Sequence, residues 1–237
     1  FKSLMRYQYT SSGFRDNFPN KNQITDGVIT LLVSNISIFI IIMILGLEYE
    51  FFSNFGLVGA EFFQKQKLWQ PITYLFLHGN ILHILFNMLV LWMFGNELEK
   101  IWGKKKFLKF YFVCGVGAGI ITLLFNHNSY VPVVGASGAI YGLFTAYALI
   151  YPNRDVYFYF LFPVKIKYLI LILGGISLIS VLSSSSSSIS HITHLSGMII
   201  GTIYYSYSRN INFIKLFNVN NRNKSVSKIF PINQNKT

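Results

Sequence analysis

The chain has 237 residues, 52% of them hydrophobic and 12% charged, with a formal net charge of +12. A charged share about half that of soluble domains, with a mean hydropathy of +0.46, excludes a water-soluble globule, because one core of this size could not hide so much apolar surface. The basic excess does not point to nucleic acid either: Lys and Arg fall between the apolar runs and form no basic stripe interleaved with aromatics on a polar face.

Residues 1–26 are polar and begin without Met, which reads as a trimmed cytoplasmic segment. The first apolar run, Gly27–Gly46, is too long for a signal-peptide core and lacks a clear small-residue cleavage site, so it reads as an anchor. The connection Glu48–Gln70 carries Phe51, Phe52, Phe62, Phe63 and Trp69 and is expected to lie half-submerged at the membrane interface. Apolar segments at Ile81–Leu98, Phe107–Phe125, Ser137–Ile150, Ile166–Leu182 and Ile189–Tyr205 complete an all-α bundle of six transmembrane helices. Ser137–Ile150 has only 14 residues, about 21 Å at the helical rise. It can start below the membrane surface if the loop Tyr130–Gly135, with Pro132, is wrapped in protein. The run Ser183–Ser188 reads as a flexible linker able to act as a mobile cap, and the Asn- and Lys-rich tail as disordered. The domain organisation is a segment 1–26, a six-helix domain 27–207 and a basic tail 208–237.

Loop charges set the orientation. The N-terminal segment, the loop with Lys100, Lys104, Lys105, Lys106 and Lys109, the loop with Arg154, Lys165 and Lys167, and the tail share one side. Together they hold 18 of the 20 basic residues, which makes both termini cytoplasmic and the expected location the cell (inner) membrane. The single cysteine, Cys114, lies in an apolar stretch and reads as a small buried hydrophobe.

Ionisable and hydroxyl side chains inside a membrane are costly, so their depth is informative. Under this topology the second, fourth and sixth helices all begin at the outer face. His83 and Asn87 lie one turn apart near the start of the second, Ser137 opens the fourth, and His191 and His194 fall in the first turns of the sixth. Gly138 and Gly142 follow Ser137, and Gly197 and Gly201 follow His194; each pair is a Gly-x-x-x-Gly spacing that lets helix backbones approach closely. That approach would bring a serine hydroxyl within about 3 Å of an imidazole, the reach that proton transfer needs. Ser137 is then the candidate nucleophile and His194 its general base. No Asp or Glu stands near, so this is a dyad, with Tyr141 one turn from Ser137 able to stack on the ring. Oxyanion donors would be the Asn87 amide, the His83 imidazole and backbone N–H groups at the start of the fourth helix.

The stretches HGNILHILFNM at 78–88, GASGAIYG at 135–142 and HLSGMIIG at 194–201 resemble the rhomboid proteases. GNELEKIWG at 95–103 is similar to that family's Glu-containing second helix and cytoplasmic turn, and the resemblance covers about residues 27–207. It implies a six-helix core with Ser137 and His194 as catalytic dyad, His83 and Asn87 in the oxyanion hole, and Gly135, Gly138, Gly197, Gly201 and Tyr141 in support. By the same match His78 and Trp69 are structural, and Glu99 fixes the base of the second helix. Three positions depart from the family pattern: Gln70 stands where Arg often follows the Trp, Thr193 precedes His194 where a small residue is usual, and the last outer loop is a serine run.

The expected activity is therefore that of an intramembrane serine endopeptidase without cofactor or metal. It would cleave single-span or multi-span membrane proteins in the bilayer, near the outer ends of their helices. A metal site is the competing chemistry, because His191 and His194 have a chelating i, i+3 spacing; yet no Cys, Asp or Glu joins them and His-Glu-x-x-His is absent. The alternative function is a catalytically inactive relative that binds membrane helices. A transporter should place polar groups at mid-membrane and show inverted repeats, and neither is visible.

Overall fold

In the computed structural model, which describes residues 24–158, 162–183 and 188–208, the apolar runs become helices. α1 spans Asp26–Leu45 and ends at Gly46 in a left-handed turn. The connection expected at the interface is helical for most of its length. It folds into α2 (Glu48–Phe55), α3 (Gly59–Lys65) and a single turn, α4 (Gln70–Thr73), which runs into a 3₁₀ turn at Tyr74–Phe76. α5 (Ile81–Val90) starts at Asn80, whose side-chain oxygen accepts the His83 N–H at 2.8 Å, a side-chain cap for one of the first-turn donors. A π-helical turn at Leu91–Gly95 carries the same helix into α6 (Asn96–Trp102). α7 is Lys104–Phe125, α8 Ser137–Ile150, α9 Ile166–Leu182 and α10 Ser188–Ser208. β1 (Asp155–Phe158) and β2 (Phe162–Lys165) form an antiparallel hairpin between α8 and α9. The bounds of α8 and α9 coincide with the apolar runs, whereas α5–α6, α7 and α10 extend past them by up to four residues at an end because Lys, Glu and Ser continue a helix as readily as a loop. The N-terminal segment through residue 23, the centre of the serine run at 184–187 and the tail from 209 lie outside the described residues. So, therefore, do the expectations of a flexible cap and a disordered tail.

Among the described residues three helices are long and apolar enough to cross a membrane: Asp26–Leu45, Ile81–Trp102 and Lys104–Phe125. α8 and α9 are apolar but shorter. The outside of the molecule agrees with lipid as its solvent, since Val33, Ile44, Leu124, Leu171 and Ile179 all lie exposed. Ten of the 14 residues of α8 are buried, so α8 is the centre of the bundle, with α7 and α10 packed against it. α9 buries only Ile166, Leu169, Ile170 and Ser177 and sits at the edge.

Two polar clusters tie the bundle at the end away from Ser137. The buried Glu99 carboxylate accepts from the Gly27 and Val28 N–H groups, each at 2.8 Å, and from the Thr25 hydroxyl at 2.6 Å. It thereby caps the N-terminus of α1 from a different helix, where the aligned peptide dipoles favour negative charge. Glu97 takes a bidentate pair from Arg154, at 2.8 and 3.0 Å, and the Tyr147 hydroxyl at 2.9 Å, which ties the chain after α8 to α6.

Candidate active site

The glycine spacings on α8 and α10 produce backbone-to-backbone contact. A Cβ added to Gly197 would stand 2.0 Å from the Gly138 carbonyl oxygen, and one added to Gly201 2.7 Å from the Gly142 Cα. No larger residue fits either position without parting the helices. The Gly142 side of α8 meets α7 as closely, since a Cβ there would lie 2.6 Å from Cys114 Sγ.

This close approach brings Ser137, the first residue of α8, to His194 on α10: Ser137 Oγ lies 2.9 Å from His194 Nε2. The Tyr141 ring, one turn along α8, stacks on the imidazole with centroids 4.2 Å apart and planes 7° from parallel. His194 Nδ1 is buried and has no hydrogen-bond partner, so the ring is held by stacking rather than by a carboxylate. Thr193 does not crowd this contact. Its hydroxyl pairs with Thr122 Oγ1 at 2.8 Å, and its methyl group lies over Gly138.

The chain enters α8 through Gly135, whose φ of 125° belongs to the region that favours glycine. The absent side chain leaves room for two polar groups. A Cβ on Gly135 would lie 2.7 Å from His83 Nε2 and 3.7 Å from Asn87 Nδ2, so both converge on the turn directly before Ser137. Asn87 is buried and its Nδ2 has no partner, an unspent donor at the turn that leads into Ser137. The first N–H groups of α8 face the same space, because the intrahelical ladder begins only with Ile140 N–H to Ala136 O. A partly buried hydroxyl, an imidazole in hydrogen-bond contact and convergent unspent donors are the parts that acyl transfer requires.

His191, the other imidazole of the α10 start, meets the His194 ring edge-on at 6.0 Å between centroids. Among the described residues no group of three or more His, Cys, Asp or Glu side chains could hold a metal ion. His78 packs edge-on against His83 at 5.0 Å, and Trp69 Nε1 donates to the Asn54 carbonyl at 2.8 Å. Gln70 is wholly buried and accepts the Val58 N–H at 3.1 Å, so this residue, too, fastens the segment between α1 and α5. Tyr74 is a positioning residue that the sequence did not single out. Its backbone oxygen accepts the Gly135 N–H at 2.9 Å and its hydroxyl donates to the Gly115 carbonyl at 2.7 Å, which fixes the entry to α8 against α7. One aromatic among many in the stretch 74–86 carries no signal of that role.

Known proteins share much of this sequence. A family model for the rhomboid domain matches residues 65–210. YdcA of Bacillus subtilis is 38% identical over 94 residues, 40% of this chain and 44% of that protein. The rhomboid protease GluP of Bacillus subtilis is 34% identical over 88 residues, 37% of this chain and 17% of its own length. The rhomboid protease GlpG of Haemophilus influenzae is 28% identical over 141 residues, 60% of this chain and 70% of its own. The chain thus spans less than half the length of the first two of these relatives.

Proposed function

Because the chain belongs to the rhomboid family, we propose that this integral membrane protein is an intramembrane serine endopeptidase working through a Ser137–His194 dyad. The single observation that carries this reading is the 2.9 Å contact between Ser137 Oγ and His194 Nε2, with the unpartnered Asn87 amide at the turn that precedes Ser137. The Ser137 hydroxyl donates its proton to Nε2 as the oxygen attacks a peptide carbonyl. The resulting oxyanion takes hydrogen bonds from Asn87 Nδ2, His83 Nε2–H and the first N–H groups of α8. One such donor is typically worth about 3–4 kcal/mol to the transition state. His194 then returns the proton to the leaving amine, and a water, activated by the same imidazole, releases the acyl group. Tyr141 keeps the imidazole in plane through the cycle, in the place where other serine hydrolases use an aspartate.

The domain is read as 27–207 with six spanning helices. The shorter α8 counts as a span because its entry loop is tied to protein by the Leu57–Val133 pairing. Loop charge supports both termini on the cytoplasmic side of a cell (inner) membrane, with the dyad in the outer third. Substrates are membrane proteins cut near the outer end of a span, where a helix must unwind to expose its peptide bond. The short Ser137–His194 contact argues against the alternative of an inactive binder of membrane helices. A serine-directed phosphonate tests the reading: it should label the wild-type chain at Ser137 and fail to label Ser137→Ala. Labelling that is unchanged in Ser137→Ala would reject it.

A further inference from the structure

We infer that the groove between α1 and the start of α5 is a binding site for a phospholipid with a primary ammonium headgroup. The groove has a volume of about 500 Å³. Its walls are Phe39, Ile42 and Met43 of α1, and its floor is the chain from His78 to Leu82, with Glu48 at the rim.

Two kinds of unspent donor face it. The first is the N-terminus of the 22-residue helix Ile81–Trp102. Asn80 caps only the His83 N–H, and the ladder begins with Ile84 N–H to Asn80 O, which leaves the Ile81 and Leu82 N–H groups without an internal acceptor. The second is His78. It is 3% exposed, lines the groove, and neither ring nitrogen has a partner. A buried imidazole with nothing to bond, beside free N–H groups at the positive end of a helix, is a cradle for a phosphate.

Glu48 fixes which phosphate. It is exposed at the rim and forms no ion pair among the described residues. A carboxylate there repels a headgroup of net negative charge and attracts a cation a few bonds from the phosphate. A primary ammonium gives it three N–H donors, which a quaternary choline does not. The apolar wall on α1 accounts for the rest of the molecule: Met43 and Ile40 are open to the bilayer, where an acyl chain would lie. A free phosphate has no use for that wall.

Native mass spectrometry of the full chain tests this. The chain is released from detergent after equilibration with an equimolar mixture of phosphatidylethanolamine, phosphatidylglycerol and phosphatidylcholine of identical acyl chains. The wild type, and equally Ser137→Ala, should retain phosphatidylethanolamine about three- to fivefold over the other two, the scale of one partly exposed ion pair. Glu48→Gln should erase the preference. Met43→Trp, which fills the groove from an exposed position, should lower retention of phosphatidylethanolamine to that of the others. Millimolar inorganic phosphate should displace nothing. Equal retention of the three lipids by the wild type, a preference that survives in Glu48→Gln, or displacement by phosphate would each overturn the proposal.

Discussion

Replacing Gly197 by alanine tests whether the helix contact sets the dyad distance. The new methyl carbon would begin 2.0 Å from the Gly138 carbonyl oxygen, and ordinary contact starts at 3.4 Å, so α10 must retreat from α8 by about 1.4 Å or rotate. No flexible side chain can give way, because the obstacle is backbone. His194 lies one turn from Gly197 and Ser137 adjoins Gly138, so most of that movement is transmitted to the 2.9 Å contact between them. A displacement near 1 Å in a catalytic pair costs on the order of 100-fold in rate, equal to about 2.7 kcal/mol in the barrier. Overpacking costs a further 1–3 kcal/mol or so of stability. The assay is kcat on a single-span substrate in proteoliposomes, with helical content and thermal unfolding measured on the same samples. Gly175→Ala on α9 is the control, because its added Cβ meets nothing within 4 Å and activity should be unchanged. If Gly197→Ala stays folded and within threefold of wild-type kcat, the glycine contact does not position the dyad.

Asn87→Ala should lower kcat by about 10- to 1,000-fold with little change in KM, and His83→Ala should act in the same direction; full specific activity in both variants would make these residues structural. Glu99→Ala leaves three donors at the start of α1 without an acceptor, and should destabilise the fold by about 3–5 kcal/mol in denaturant titration. A loss below about 1 kcal/mol would show that water replaces the cap. In α3, hydrogen bonds from Lys65 and Lys67 hold the Glu61 carboxyl below its ordinary value of 4.5. The support this gives is therefore complete above that value and lost as pH falls through the lowered one. Carbon-13 titration should place Glu61 below 4.5 in the wild type and closer to it in Lys67→Met; identical titration curves would remove Lys67 from the account.

Much of the candidate site could be read from the sequence because membrane burial makes polar residues rare and hence informative. Ser137, His194, His83 and Asn87 stood out as hydroxyl, imidazole and amide groups at helix starts, and the two glycine spacings predicted which helices touch. Tyr141 was legible for the same reason, lying one turn from Ser137. What escaped depends on long-range pairing or backbone detail. Nothing local announces that Glu99 caps α1, since cap and helix start are more than 70 residues apart. The left-handed Gly135 and the Tyr74 carbonyl that receives its N–H are set by tertiary contact, and glycine alone does not declare a positive φ. The π-helical turn Leu91–Gly95 lies in a run of helix formers with no proline to mark it. The helices α2 and α3 are short and marginal by themselves; Trp69 and Lys67, bonded to Asn54, tie α2 to the chain that follows α3.

The central claim is that Ser137 cuts peptide bonds within the bilayer. Purified chain and its Ser137→Ala form, reconstituted in proteoliposomes with a labelled single-span protein, test it most directly, with products mapped by mass spectrometry. The account predicts one cleavage near the end of the substrate helix that lies level with Ser137, and no product from Ser137→Ala beyond the protein-free rate. Equal cleavage by the Ser137→Ala form, at the same bond, would contradict it.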